Sequence, residues 1–386
     1  MTKPLSVFIV AAERSGDALG AGLIRALRNE LGNEVSFSGV GGREMKLEGL
    51  ESPFDISELS VLGLFEVLGA YPRVVRRADE TAAHALASKP DIAVLIDSWG
   101  FTLRVAQRLK NVLPDMPIVK YVGPQVWATR RGRAQTLAET ADHLLTIHSF
   151  DAPIFEAAGL PTTFVGNPTL EGGQSGDGEA FRQRHNIPPD ALCLGVLFGS
   201  RMSELTRLQG PFSDALKQLR RERPDLAVIV PLADSIADAA RAAIADDPAY
   251  QGAIIVDEDE KPDAFAAIDT AMACSGTVTT QLAMRGVPTV AGYRLGWATW
   301  AVLRGFMLKS KYISLVNIAA DRELIPERIQ TTCTGPRLAA DVGRFLDDSR
   351  LRAETSTRLI ETTDEMRGEG SAAARAAAVI IELANA

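Results

Sequence analysis

Two tandem α/β domains, each a doubly wound, Rossmann-like parallel sheet and the pair facing across a cleft, are predicted by three features of the sequence. Short apolar runs alternate with amphipathic helical stretches along most of the chain, the pattern of right-handed βαβ crossovers around a buried sheet. The alternation is interrupted once, by the Gly-, Ser- and acid-rich "LEGGQSGDGEA" (170–180), and then restarts. The chain has 386 residues, long for one compact domain and comfortable for two.

In the first half, "SVFIVAA", "VSFSGVGG", "DIAVLIDS", "PIVKYVG", "HLLTI" and "TTFVG" read as strands, with helices such as "DALGAGLIRALRNEL" and "FTLRVAQRLKNVL" between them. After the break, "LCLGVLFGS", "LAVIVPLA", "AIIVDE", "TAMACSG" and "PTVAGY" repeat the rhythm. From Gly335 onward only helical patterns remain, ending in the Ala-rich "SAAARAAAVIIELANA". The expected organisation is a first domain over 1–170, a linker over 171–182, a second domain over 183–334 and C-terminal helices over 335–386 that either pack on the first domain or are exchanged with a second protomer.

A composition of 46% apolar and 23% charged residues belongs to an ordinary globular protein with sizeable cores. The net charge of −8 argues against a general nucleic-acid binder, which needs a basic surface. Cys193, Cys274 and Cys333 are far apart with no CxxC spacing, as expected of free thiols in a reduced, cytoplasmic protein. The first apolar stretch runs straight into strand-turn-helix chemistry, so no signal peptide is read, and no run reaches membrane-span length. Any membrane contact is expected to be peripheral. His84, His143, His148 and His185 have no metal-ligand spacing, and the acidic run 257–260 reads as a solvated loop. No metal or cofactor is expected.

The chemistry is expected where strands end, because open α/β sheets bind ligands outside the carboxyl ends of their strands. "FGSRMSEL" (198–205) follows the first strand of the second domain. Gly199 admits close approach, Ser200 and the helix start offer backbone N–H groups, and Arg201 offers a charged fork suited to a diphosphate. The competing reading pairs Arg201 with Glu204. "CSGTVTTQ" (274–281) repeats strand-turn-helix in the same domain. Ser275, Gly276 and Thr277 either cap that helix or face phosphate, and Gln281 either reaches a ribose hydroxyl or is solvated.

In the first domain, "AAERSGDALGAGLIRAL" is not G-x-G-x-x-G, so no dinucleotide cofactor is read. Ser15 or Asp17 is an N-cap or a substrate contact, and Asp97, ending the strand in "LIDSWGF", is a helix cap or a general base. Two apolar segments with basic ends, 57–77 (including Arg73, Arg76 and Arg77) and 297–311, are core helices or a rim that meets acyl chains and lipid head groups.

These residues together resemble the lipid-A-disaccharide synthase family of GT-B glycosyltransferases. The resemblance runs in order over nearly the whole chain: "AAERSGDALGAGLIRAL", "ELSVLGLFEVLG", "LIDSWGFTLRVA", "YVGPQVWATRRGR", "LFGSRMSEL", "CSGTVTTQLAMRGVPTVAGYR" and "YISLVNIAADRELIPERIQ". It implies an inverting, metal-independent transfer of 2,3-diacylglucosamine from its UDP donor to 2,3-diacylglucosamine 1-phosphate, giving the β-1,6 lipid A disaccharide precursor and UDP. It implies Asp97 as base or acceptor-positioning carboxylate, Glu13 and Arg201 as further catalytic residues, and Glu13, Ser15, Gly16, Asp17 and Leu62 on the acceptor side. Gly199, Ser200, Arg201, Ser275, Gly276, Thr277, Gln281, Asn317 and Arg322 would hold UDP and the donor. It further implies a peripheral position on the cytoplasmic face of the inner membrane and a homodimer that exchanges its C-terminal helices.

The chain departs from the family pattern at several of these places. Ala12 replaces a Gly before Glu13, Gly100 replaces the second aspartate of Asp-x-Pro-Asp-Phe, and Gly123 and Gln125 alter Ser-Pro-Ser-Val-Trp. Gln281 stands for a ribose-binding Glu, and Ile318–Arg322 alters Leu-Ala-Gly-Arg, with Asp321 before the arginine. Two alternatives follow: a paralogue using another UDP-sugar or lipid acceptor, or an inactive nucleotide-binding homologue.

Overall fold

The computed structural model describes residues 4–59, 64–127, 132–172, 176–297, 300 and 310–385, with the side chains of 64–70 left aside. Strands β1 (Leu5–Ala11), β2 (Val35–Val40), β3 (Ile92–Ile96), β4 (Ile118–Tyr121), β5 (His143–Thr146) and β6 (Thr162–Phe164) form one sheet in the order β2-β1-β3-β4-β5-β6. Every pairing in it is parallel. Because crossover helices cover both faces, β3 is buried at all five positions, which explains its unbroken apolar run. A second all-parallel sheet comprises β7 (Cys193–Leu197), β8 (Ala227–Pro231), β9 (Ile254–Val256), β10 (Thr270–Cys274), β11 (Thr289–Tyr293) and β12 (Glu327–Ile329), in the order β12-β11-β10-β7-β8-β9. These are two Rossmann-like doubly wound units, the fold class expected from the alternating runs.

The chain divides into a first unit running up to Glu171 and resuming at Met366, and a second from Gly172 to Glu365. A helix of the second unit lies within the stretch expected to be a linker. Asp177 accepts a hydrogen bond from Ala180 N at 2.9 Å and caps the helix Gly178–Arg184, and Phe181 of that helix is fully buried. The C-terminal helices do not form one block. Gly335–Asp347 packs on Met202–Glu222 in the second unit, whereas Ala372–Ala384 packs on α1 (Arg14–Leu31) in the first. Ala376, Ala377 and Ile380 join the core of the first unit beneath α1. Among the described residues no helix is long and apolar enough to cross a membrane.

Asp17 is structural. It is 2% exposed and does not cap α1, whose N-cap is Glu13. Its carboxylate accepts from Gly42 N at 2.7 Å, Glu44 N at 2.8 Å and Met45 N at 3.1 Å, closing the N-terminus of the short helix α2 (Arg43–Leu47). With its oxygens engaged on backbone amides, Asp17 is not free to contact an acceptor, contrary to expectation.

Two of the arginines that close the segment 57–77, Arg73 and Arg77 on α3 (Leu64–Ser88), are likewise engaged internally, while the Arg76 side chain is 63% exposed. Arg77 is paired with Glu58 at 2.7 Å and with Glu80, and lies over the Phe54 ring; Arg73 donates to Glu58 O at 3.3 Å. The expected acceptor contact Leu62 lies outside the described residues, as do 298–299 and 301–309 of the second apolar segment.

One charge is buried in the first sheet. Lys120 on β4 is 3% exposed, and burial lowers its ammonium from the ordinary 10.5 to about 7, against the opposing pull of Asp97 and Glu13.

Two outcomes follow for stability. Asp17→Ala should destabilise the first unit by about 3 kcal/mol, because several backbone donors lose a charged acceptor together; urea unfolding reads this directly. For Lys120, the unfolded chain binds one more proton than the folded one between about pH 7 and pH 10.5. Stability therefore rises with pH in that window, by about 3 kcal/mol from pH 7 to pH 9.5. The rise should vanish in Lys120→Met, as seen by comparing denaturation midpoints of the two proteins across that range.

Candidate functional site

In the second sheet the strand order reverses between β7 and β10, which are direct neighbours. Crossovers leave such a pair in opposite directions and open a crevice at their carboxyl ends. "FGSR" follows β7 and "SGT" follows β10, so two turns far apart in sequence stand side by side. They line a recess of about 790 Å³, including its mouth, to which Gly199, Arg201, Glu204, Lys261, Thr277 and Gln281 contribute.

The β7 turn combines both readings of its arginine. Glu204 accepts from Ser200 N at 3.0 Å and Arg201 N at 3.3 Å, and pairs with Arg201 Nη1 at 3.1 Å. The amides expected to meet a ligand thus carry the protein's own carboxylate. Yet the Arg201 side chain is 77% exposed, and its one side-chain partner among the described residues, Glu204, leaves most of its five donors open to an anion. Gly199 is required here: its φ is +93°, and a Cβ would fall 2.2 Å from Glu204 Oε2.

At the β10 turn, Ser275 N donates to Gly292 O at 3.0 Å, continuing the sheet. The helix Thr277–Ala283 has Gly276 as its N-cap and no side-chain cap. Ser275 and Thr277 therefore do not cap, and the N–H groups of Gly276, Thr277 and Val278 make no hydrogen bond among the described residues. Gln281, exposed one turn along, faces the same recess.

Lys261 completes this rim and was not singled out from the sequence. The acidic run before it is not a freely solvated loop. Glu258–Glu260 forms a 3-10 turn in which Asp257 pairs with Arg241, Glu258 with Lys261 at 2.8 Å, and Glu260 with Arg184 and His185. The pair with Glu258 holds Lys261, whose side chain is 17% exposed, against the recess. The available signal was the lysine directly after the carboxylates.

Two expected donor residues lie elsewhere. Asn317 is completely buried and its amide is fully used: Nδ2 donates to Ile325 O at 2.7 Å and Glu327 Oε1 at 3.1 Å, and Oδ1 accepts from Leu324 N and Ile325 N. It braces the loop before β12 and has no hydrogen bond left for a ligand. Arg322, on that loop, is exposed but does not line the recess.

The first sheet reverses between β1 and β3. Glu13 and Ser15 are exposed after β1, while Gly16 is buried with its Cβ position 3.4 Å from the Ile96 side chain, holding α1 close to the end of β3. Asp97 and Ser98 follow β3 with φ of +44° and +41°, successive left-handed residues that side chains rarely adopt. Helix α4 (Trp99–Val112) has Ser98 as its N-cap, with no side-chain cap bond. The half-buried Asp97 carboxylate makes no hydrogen bond among the described residues, so the capping alternative is not realised.

Comparison with known proteins places this geometry. The lipid-A-disaccharide synthetase family profile matches residues 7–381. The lipid-A-disaccharide synthase of Rhodospirillum centenum is 45% identical over 353 residues, covering 91% of this chain and 88% of that protein. The S. aureus MnaA–UDP co-structure superposes with a TM-score of 0.62 at 12% identity, covering 99% of this chain and 97% of that one. UDP-GlcNAc 2-epimerase from Neisseria meningitidis bound to UDP-GlcNAc gives 0.57 at 10% identity, covering 98% of both. At such identities the structural likeness speaks for the shared fold alone, and the family rests on sequence. By both the profile and the relative, the chain belongs to the lipid-A-disaccharide synthase family.

Proposed function

We propose that the protein is an inverting hexosyltransferase that moves 2,3-diacylglucosamine from its UDP derivative to the 6-hydroxyl of 2,3-diacylglucosamine 1-phosphate. The observation that carries the chemistry is the pairing of the β7 and β10 turns at a strand-order reversal, where Arg201, Lys261 and three open amides surround one recess. Cationic and N–H donors in a partly enclosed site suit the negative charge that builds on a leaving diphosphate. Two solved proteins of this fold carry UDP or UDP-GlcNAc, in keeping with the UDP donor of the family.

In the reaction the acceptor oxygen attacks C1 of the donor sugar, the C1–O bond to UDP breaks, and the bond electrons leave with the diphosphate. Configuration at C1 inverts. The hydroxyl proton passes to Asp97, whose carboxylate is uncapped at the strand reversal of the first unit. Exposed Glu13 and Ser15 beside the same reversal would contact the acceptor. Gln281 would hold the ribose with an amide where the family pattern has a carboxylate. Acylated substrates favour work at a membrane surface, here the cytoplasmic face of the inner membrane, and the chain has no membrane-crossing helix among its described residues. In a dimer exchanging C-terminal helices, Ala372–Ala384 of one copy would take the place on α1 that the chain's own helix occupies.

The test is UDP release from UDP-2,3-diacylglucosamine in detergent, with and without the acceptor. Acceptor-dependent release with a disaccharide product is expected; UDP binding without product would remove the substrate assignment. Asp97→Asn should lower kcat by about 100-fold or more with UDP affinity retained, and undiminished turnover would exclude it as the base. Arg201→Ala should weaken UDP binding about tenfold, measured by calorimetry. Gln281→Glu should improve donor use if the amide is tolerated drift, and impair it if the amide suits a different sugar.

A further inference from the structure

From the geometry around Asp97 we infer that Lys120 is a positioning residue for catalysis: from within the sheet it pins the backbone of the turn that aims the Asp97 carboxylate. The inference rests on Asp97 as the base. Lys120 lies on β4, next to β3, and its Nζ donates to Asp97 O and to Thr102 Oγ1, the latter at 2.8 Å. Thr102 Oγ1 in turn donates to Asp97 O at 2.7 Å and Ser98 O at 3.1 Å. The two side chains thus converge on one carbonyl, while Asp97 N is held by Tyr121 O at 2.8 Å.

This matters because the carboxylate itself has no hydrogen-bond partner among the described residues, so the placement of its backbone decides where it can reach. That backbone is a pair of left-handed residues, neither of them glycine, a conformation that persists only where the surroundings enforce it. Lys120 and Thr102, 3% and 1% exposed, supply the enforcement from the buried side. The charged groups facing Lys120 are Asp97 and Glu13, both acidic and both at the strand reversal. An amine donates both bonds whether protonated or neutral, so the pin survives loss of its charge. A buried lysine that costs the fold stability and yet braces the proposed base is explained by function better than by packing.

The test uses the full chain with both glycolipid substrates. Lys120→Met should lower kcat about 100-fold, the cost of misaiming a catalytic group by an ångström, with donor KM and UDP affinity unchanged. Methylamine should restore part of the turnover of Lys120→Ala, and sodium chloride at equal concentration should not. Thr102→Val, which removes the second half of the pin without touching the lysine, should lower kcat in the same way and carries the test if Lys120→Met does not fold. Unchanged kcat in the folded variants, or a loss confined to KM, overturns the inference. Full turnover in Asp97→Asn overturns both the inference and its premise, whereas an inactive Asp97→Asn beside a fully active Lys120→Met removes the role of Lys120 alone.

Discussion

The reversal of strand order is the constraint on which the rest of this structure depends. A parallel sheet with right-handed crossovers covers one face while strands are added in one direction and the other face when the direction changes. Where it changes, between β1 and β3 and again between β7 and β10, adjacent strand ends send their chains apart and leave a crevice. Every residue assigned to chemistry here follows one of those four strands, except Lys120 on β4 and Lys261 beside the second recess.

The candidate polar side chains fall into two groups by whether their hydrogen bonds are complete. Asp17 and Asn317 are buried, with their side chains engaged on backbone groups or a neighbouring carboxylate, and they hold α2 and the loop before β12 in place. Asp97, Gln281 and the amides of Gly276–Val278 are placed with equal definition but left without partners among the described residues. A satisfied buried group stabilises the fold, while an unsatisfied group at a crevice is available to substrate. Arg201 lies between these cases, bonded once to Glu204 and otherwise open.

How far this was legible in the sequence depended on the range of the interaction. Alternating apolar runs and amphipathic stretches announced two doubly wound units, because burial of a sheet on both faces is a local compositional demand. The glycine of "FGSR" was legible because it acts on its immediate neighbours, and "LIDSWGF" announced a strand ending in an aspartate because its apolar run is a local signal. Ordered motifs over nearly the whole chain carried the family.

Tertiary structure alone decided which polar residues remained free. Asp17 looked like a cap or ligand contact within its own turn, but its partners are 25 to 28 residues away. Asn317 stood in a recognised motif and proved internally saturated. Lys120 lies in the run "PIVKYVG", and parallel pairing sets it beside Asp97, 23 residues earlier. Sequence pattern determines periodicity, burial and turn chemistry, which are properties of a few successive residues. Strand order brings distant turns together, and only that juxtaposition tells a side chain whether its hydrogen bonds are already taken.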